Sequence, residues 1–187
     1  MPGEVYEKLF QVATEQYGYV TTDDARDLDV EPHRLVVLAS RGDLDRVAHG
    51  LYRFGALPST MRDQLMEATL WPRRLGTISH DTALDLWDLC DINPAKVHVS
   101  VPKSAKLRRA VPAAYRVHVR DLEPDDVTHH EGIPVVTVHR AILDGIETNV
   151  GPHLIEQAIG NARTRGLLSE PDLADLIDRQ ASRPGER

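Results

Sequence analysis

Residues 18–54 read GYVTTDDARDLDVEPHRLVVLASRGDLDRVAHGLYRF and contain the strongest structural signal of the chain. Two short helical segments are separated by a turn at Asp29-Val30, and the second segment stops at Gly42. Two apolar segments, 44–48 and 51–54, then flank His49-Gly50, where glycine supplies the positive φ that a two-residue hairpin turn needs. The stretch therefore predicts two helices followed by a β-hairpin.

Residues that favour helix ends define where these helical segments begin and end. Thr22, followed by two aspartates, predicts the start of a helix that reaches Leu28. Pro32 is tolerated in a first helical turn, and the apolar residues after it form an inner stripe. A further amphipathic helix is predicted over residues 4–17 from its apolar spacing. Together these elements predict a winged helix-turn-helix domain at 1–56, whose second motif helix enters a DNA major groove.

The rest of the chain predicts a mixture of helices and strands. Helical spacing or capping predicts helices at 59–71, 80–89, 138–148, 152–164 and 170–179. Alternating apolar residues predict strands at 96–101, 115–120 and 133–138. The predicted fold class is α+β, with the winged helix-turn-helix followed by a mixed α/β C-terminal domain at 57–187.

Composition is that of a globular protein without a membrane anchor. Of the 187 residues, 41% are hydrophobic and 27% charged. An apolar run of about 18 residues is missing, and Met1 is not followed by a charged-then-apolar leader. The single cysteine, Cys90, excludes an internal disulfide and a cysteine-based zinc site, and its apolar surroundings predict a small buried side chain. We expect a cytoplasmic protein.

Charge is distributed unevenly along an acidic chain. The net charge is −7 overall, −4 over residues 1–56, +4 over 57–120 and −7 over 121–187. Non-specific DNA affinity depends on phosphate neutralisation, so an acidic chain binds DNA only through a local basic face. Such a face gains strength when it is doubled in a dimer or on paired half-sites.

The predicted recognition helix and wing supply the DNA-contact candidates. Arg34, Val37 and Arg41 share the face opposite the apolar stripe, and arginine pairs with guanine or phosphate while valine contacts a thymine methyl. Hydroxyls at a helix start also suit a phosphate oxygen. The full set is Thr21, Thr22, His33, Arg34, Val37, Ser40, Arg41, Arg46, His49 and Arg53. The alternative is a solvated helix face with ordinary arginines.

A second basic segment follows the first predicted strand of the C-terminal domain. It carries four basic groups and no acidic one, namely Lys103, Lys106, Arg108 and Arg109. A patch of this kind binds nucleic acid or an acidic partner surface, and the alternative is a merely soluble loop.

The nine histidines do not predict a metal site from their spacing. His129 and His130 are adjacent, and no two histidines lie four residues apart with a nearby acid. His98 and His118 alternate with valines and are predicted on the strand face opposite the core. Ser79-His80-Asp81 is interpreted as a helix cap, because neighbours in sequence cannot align as a catalytic triad. The prediction is a protein without metal, cofactor or catalytic centre.

Four segments of the chain resemble the AbiEi family of antitoxins. They read GYVTTDDARDL, RLVVLASRGDLDRVAHGLYRF, SHDTALDLWDL and HHEGIPVVTVHRAILDGI, and the resemblance extends from about Tyr6 to Ile146. It implies a winged helix-turn-helix that binds operator DNA, often inverted repeats, and represses its own operon. It also implies a C-terminal domain that counteracts a nucleotidyltransferase-like toxin. On the matching residues, Thr21, Thr22, Arg34, Arg41 and Arg46 would contact DNA.

One segment departs from the family pattern. Relatives have arginine followed by threonine where this chain has Arg140 followed by Ala141. Arg140 is assigned with the basic segment to partner binding, with the alternative that it anchors an acid inside the domain.

The sequence and the resemblance together predict an antitoxin and autorepressor, a monomer or a DNA-induced dimer. Its first rival is a stand-alone transcription regulator whose C-terminal domain senses a small molecule. Its second rival is an enzyme that modifies the toxin by phosphoryl transfer, although the sequence has no recognisable nucleotide site.

Overall fold

The computed structural model describes residues 3–107 and 110–183 and divides into two compact units, Met1–Gly76 and Thr77–Arg187. The division lies at Gly76, whereas the sequence analysis places the domain boundary at residue 56. The intervening helix belongs to the N-terminal unit because two contacts hold it there. Arg53 pairs with Asp63 at 3.0 Å, and the Tyr19 hydroxyl donates to Glu67 at 3.0 Å.

The N-terminal unit has the predicted order of elements. Its helices and strands are α1 (Glu4–Glu15), β1 (Tyr19–Thr21), α2 (Thr22–Asp27), α3 (His33–Ser40), β2 (Asp45–Ala48), β3 (Leu51–Arg53) and α4 (Asp63–Leu70). The strands form an antiparallel sheet in the order β1-β3-β2. This is a winged helix-turn-helix, in which α2 and α3 form the helical pair and β2-β3 the wing. The short strand β1 is not predicted from the sequence.

An aromatic cluster closes the core of this unit. Phe54 is fully buried, and the rings of Tyr6 and Phe10 both meet it edge-on at centroid distances of 5.2 Å. Leu9 and Leu35 are also fully buried in the same core. The core therefore joins α1, α3 and the end of the wing, and it fixes α3 by one face only.

The cap residue of helix α2 lies one position earlier than predicted. Thr21, not Thr22, occupies the cap position with extended backbone at φ −110°, because it also ends strand β1. Its hydroxyl accepts from the Asp24 amide at 3.0 Å, while the Asp24 carboxylate accepts from the Thr21 amide at 2.7 Å. This reciprocal pair is a capping box that satisfies two amides at the helix start.

The C-terminal unit is a mixed sheet with helices. Its elements are β4 (Thr77–Ile78), α5 (His80–Leu86), β5 (Val97–Val101), β6 (Tyr115–Val119), β7 (Val127–His130), β8 (Ile133–Val136), α6 (Val138–Glu147), α7 (Pro152–Thr164) and α8 (Glu170–Ala181). The strand order is β6-β5-β4-β8-β7. The pairs β5-β6 and β4-β8 are parallel, and the other two are antiparallel. The α+β fold class is confirmed.

Strand β5 is buried along its whole length, on both faces. Alternation with valines predicts that His98 and His118 lie on the strand face opposite the core. For His98 the prediction is wrong, because that face of β5 is also buried. His98 is 6% exposed and Ser100 is 1% exposed, since α5 covers this face of the strand. The His98 amide donates to the Thr82 hydroxyl of α5 at 2.8 Å, which joins helix and strand.

Cys90 is buried as predicted, and burial raises the pKa of its thiol to about 11.

Within the described part of the chain, the helices are too short or too polar to cross a membrane.

The capping box gives a stability prediction for the N-terminal unit. Thr21→Val keeps the side-chain shape but removes the hydroxyl that Asp24 needs, so we expect a loss of about 1–2 kcal/mol. Urea unfolding followed by Trp71 fluorescence in a Trp87→Phe background measures it. Thr14→Val on the exposed face of α1 is the control, with an expected change within about 0.5 kcal/mol. Equal stability of the two variants would contradict the role of the cap.

Candidate functional site

Helix α3 presents an outer face that the core does not use. Leu35 is fully buried on its inner side, whereas His33, Arg34 and Ser40 are exposed. Val36 is 46% exposed and adds an apolar side chain to this outer face. The predicted recognition helix thus offers a mixed basic and apolar surface.

Three arginines around this face are exposed without an acidic partner. Among the described residues, the side chains of Arg34, Arg41 and Arg46 take part in no ion pair. Elsewhere in the same unit arginines are paired: Arg26 with Asp23, and Arg74 with Asp27 at 2.5 Å. The positive charge of the α3 and β2 surface is therefore available to an external anion.

The wing is built around a tight turn. The sequence analysis predicts a two-residue turn at His49-Gly50, and the register confirms it by pairing Ala48 with Leu51. Gly50 has φ +74°, and a Cβ there would lie 2.9 Å from the Thr22 hydroxyl. Both the backbone conformation and the close approach therefore favour glycine at this position. A register shift between Arg46 and Ala48 marks a bulge that leaves Val47 38% exposed.

Two predicted DNA-contact residues are engaged inside the unit. The Arg53 side chain is only 14% exposed, pairs with Asp63, and donates to the Leu57 and Pro58 carbonyls at 3.1 Å each. Thr21 is 3% exposed, and its hydroxyl belongs to the capping box. Both assignments are corrected on these contacts: the two side chains are bound within the domain and stabilise it.

The remaining candidates keep their surface positions. His33, Ser40 and His49 are exposed, while Val37 and Thr22 are half-buried. The Ser40 hydroxyl donates to the Val37 carbonyl at 2.8 Å. Their contact with DNA stays a prediction.

The C-terminal unit contains a polar cluster that the sequence analysis does not predict. Parallel pairing sets Ser100 of β5 beside His118 of β6, and His98 shares their face of the sheet because side chains alternate along a strand. His80, the first residue of α5, stacks on His118 with ring centroids 3.5 Å apart. One ring nitrogen from each of the three histidines lies within 4.8 Å of the others.

A chain of hydrogen bonds extends from these histidines. Nδ1 of His80 lies 2.9 Å from the Ser79 hydroxyl, and the Ser100 hydroxyl donates to that of Ser79 at 2.8 Å. Arg120 in turn donates to the Ser100 hydroxyl at 3.0 Å and to Asp144 at 2.6 Å. The cluster therefore ties α5, two strands and α6 together.

Asp144 on α6 is a buried carboxylate between two arginines. It has no exposed surface, and its second partner Arg140 donates from Nε at 2.7 Å. Burial alone would raise the pKa of Asp144, but hydrogen bonds from Arg120 and the surrounding positive charges hold it below its usual value. Arg140 also pairs with Glu147 and is only 15% exposed. The assignment of Arg140 to a partner surface is therefore corrected: it anchors acids within the unit, as the alternative interpretation expects.

Burial favours the neutral form of the three histidines. Burial lowers the pKa of His80 to about 3 and that of His118 to about 4, because the charged imidazolium would lose its hydration. Burial also lowers the pKa of His98. Neutral imidazole is the form that offers a lone pair to a ligand.

The basic segment after β5 is only partly described. Lys103 and Lys106 are exposed, and the Lys103 ammonium lies 3.8 Å from Asp121. Arg108 and Arg109 lie outside the described residues. The assignment of this segment to partner binding stays a prediction.

Comparison with known proteins agrees with the winged helix. Residues 7–55 match the model of a family described as transcriptional regulator, AbiEi antitoxin. The predicted AbiEi resemblance is confirmed over this part of the chain, while the C-terminal motifs that resemble the family lie outside the match. A search of curated proteins finds no match.

A solved structure shares the overall fold. The RV2827C protein from Mycobacterium tuberculosis is 12% identical in sequence, with a TM-score of 0.55. The similarity covers 98% of this chain and 73% of that protein. At this identity the likeness concerns the fold alone.

The buried carboxylate gives a stability prediction for the C-terminal unit. Asp144→Asn removes the buried charge that two half-buried arginines share, and we expect a loss of about 3–5 kcal/mol. The measurement is urea unfolding followed by Trp87 fluorescence in a Trp71→Phe background. Asp175→Asn is the matched control, since its partners Arg179 and His139 lie nearer the surface and its loss should stay within about 1 kcal/mol. A loss no larger than that of the control would show that the two arginines do not depend on Asp144.

Proposed function

We propose that this chain is a transcriptional regulator that binds operator DNA through α3 and the β2-β3 wing. The observation that carries the proposal is the set of three exposed arginines that have no acidic partner among the described residues, Arg34, Arg41 and Arg46. The match of residues 7–55 to a family of transcriptional regulators supports it independently.

The chemistry of the α3 face suits a major groove. Arg34 and Arg41 offer planar guanidinium groups that pair bidentately with guanine or hold a phosphate. Val36 and Val37 add apolar surface of the kind that contacts thymine methyl groups. Arg46 on the wing is placed to hold the flanking backbone, which orients a protein on DNA without reading its sequence.

Acidic residues near this surface limit its affinity. Asp43 and Asp45 are exposed close to Arg41 and Arg46 in sequence, and residues 1–56 carry a net charge of −4. A single copy therefore neutralises few phosphates. Binding as a DNA-induced dimer on inverted repeats would double the contacts, and we propose this mode for operator recognition.

Arg34→Ala combined with Arg41→Ala tests the interface. Each lost arginine contact with a base is worth about 1–3 kcal/mol, so we expect affinity for the upstream DNA of its own gene to fall by at least about 30-fold. Fluorescence anisotropy at fixed salt measures the change.

The control for this pair is Arg179→Ala, which removes one exposed arginine from α8 in the other unit and should leave affinity within about twofold. Circular dichroism establishes that each variant is folded. Unchanged affinity in the double variant would reject α3 as the recognition helix.

We further propose that the regulator is an antitoxin that represses its own operon and that its C-terminal unit counteracts a nucleotidyltransferase-like toxin. The family description of residues 7–55 supports an antitoxin role in general terms. The exposed lysines Lys103 and Lys106 are the first candidates for the toxin-directed surface. The proposal requires neither a cofactor nor catalysis by this chain, and it places the protein in the cytoplasm.

Toxin rescue separates the two activities within the full-length chain. When a nucleotidyltransferase-like toxin encoded beside this gene arrests growth, we expect Arg34→Ala/Arg41→Ala to restore growth as the unchanged chain does. Lys103→Glu/Lys106→Glu should fail to restore growth yet still bind operator DNA, because reversed charge repels an acidic partner surface. Colony counts after co-expression measure rescue. Rescue by the lysine variant would remove this segment from the toxin-directed surface, and lack of rescue by the unchanged chain would reject the antitoxin role.

A second candidate function is a stand-alone regulator whose C-terminal unit senses a ligand. The buried cluster of His80, His98 and His118 favours it, since three polar rings together in an interior are typical of a binding site. Failure of toxin rescue, with operator binding that responds to a ligand, would favour this function over the antitoxin.

A further inference from the structure

We propose that His80, His98 and His118 form a binding site for one divalent transition-metal ion of the Zn²⁺ class. The three imidazoles come from the start of α5, from β5 and from β6, and one ring nitrogen of each lies within 4.8 Å of the others. Three imidazole nitrogens with one open position are a recurrent ligand set for Zn²⁺.

The chemistry of the donors restricts the ion. Imidazole nitrogen suits Zn²⁺, Cu²⁺, Ni²⁺ and Fe²⁺, whereas Mg²⁺ and Ca²⁺ prefer oxygen ligands. The nearest carboxylate on α6, Asp144, is bound by two arginines and does not compete for the ion.

Unsatisfied nitrogen atoms point to the same conclusion. Nδ1 of His98 and Nε2 of His118 are buried and have no hydrogen-bond partner among the residues that the structure describes. The closest carboxylate oxygen, from Asp81, lies 4.0 Å from Nδ1 of His98, which is too far for a hydrogen bond. Buried polar atoms are nearly always paired, and an ion is one of the partners that satisfies them.

The hydrogen bonds around His80 support ligation. Its Nδ1 lies 2.9 Å from the Ser79 hydroxyl, which Ser100 also contacts, so Nε2 is the nitrogen left for an ion. A partner on the second ring nitrogen is what orients most metal-binding histidines. The serines therefore hold the ring that α5 contributes.

Ligation of one ion requires a rearrangement of the stacked histidine pair. Zn–N bonds of about 2.0–2.1 Å in a tetrahedral site place ligand nitrogens roughly 3.4 Å apart. The rings of His80 and His118 stack nearly parallel, with an interplanar angle of 13°, so their in-plane lone pairs do not converge on one point. The two rings must therefore rotate relative to each other to bind one ion. His118 lies on the edge strand β6 and is only half-buried, so its side chain has room for this rotation.

The experiment is a metal titration of the full-length chain after treatment with a chelator. Zn²⁺ is titrated against a chromophoric competitor, and Co²⁺ is added separately because its visible spectrum distinguishes tetrahedral from octahedral ligation. We expect one Zn²⁺ per chain and a tetrahedral Co²⁺ spectrum. We also expect Zn²⁺ to raise the unfolding temperature, since it joins one helix to two strands.

Single variants locate the site. His98→Gln and His118→Gln should each weaken Zn²⁺ binding by more than about 100-fold, beyond the 10–100-fold that loss of a hydrogen-bond partner to a ligand costs. His129→Gln is the matched control, because it removes an exposed histidine from β7 and should bind Zn²⁺ as the unchanged chain does. Circular dichroism without metal shows whether each variant is folded.

Several results would overturn the proposal. The first is a failure of the unchanged chain to bind Zn²⁺ stoichiometrically, and the second is an octahedral spectrum of its Co²⁺ complex. The third such result is a folded His118→Gln variant that binds Zn²⁺ as tightly as the unchanged chain. If both variants fail to fold, histidine ring signals in the NMR spectrum of the unchanged chain decide. Zn²⁺ must then shift three rings together, and a shift confined to exposed histidines would reject the site.

Discussion

The C-terminal unit depends on one buried ion pair network centred on Asp144. This carboxylate has no contact with solvent and accepts from Arg120, after β6, and from Arg140 on its own helix. Arg120 also reaches Ser100, and Ser100 reaches Ser79 beside His80. Because a buried charge must be paired to be tolerated, these elements have to assemble together. The network thereby sets the positions of the histidines that we propose as metal ligands.

The N-terminal unit uses arginine in two opposite ways. Arg53 is shielded and bound to Asp63, and it attaches the segment after the wing to the domain. Arg34 and Arg41, on and just after α3, are exposed and have no acidic partner among the described residues. The same side chain therefore stabilises the domain at one position and is available to DNA phosphate or base edges at another. Burial and the nearest carboxylate decide between these uses.

Local signals predicted most of the elements but not all their ends. Apolar spacing located α1, α6, α7 and α8, and His49-Gly50 located the wing, because both patterns are written in neighbouring residues. Strand β4 escaped prediction because two residues carry no periodicity, and β7 because VTHH lacks alternating apolar residues. Thr21 displaced Thr22 as the cap since β1 ends there, and the pairing of β1 with β3 is a contact distant in sequence.

The sequence by itself determined the winged helix-turn-helix, the α+β class and the basic surface of α3, since each follows from spacing within a few residues. Only the tertiary structure decided which arginines are paired, because Arg53 and Asp63, or Arg120 and Asp144, meet through folding. It also decided that His80, His98 and His118 meet. Parallel strands β5 and β6 are joined by a long connection, so their register cannot be deduced from the alternation of apolar residues. The face of β5 opposite the valines packs against α5 and is not exposed to solvent, which a pattern of neighbouring residues does not show.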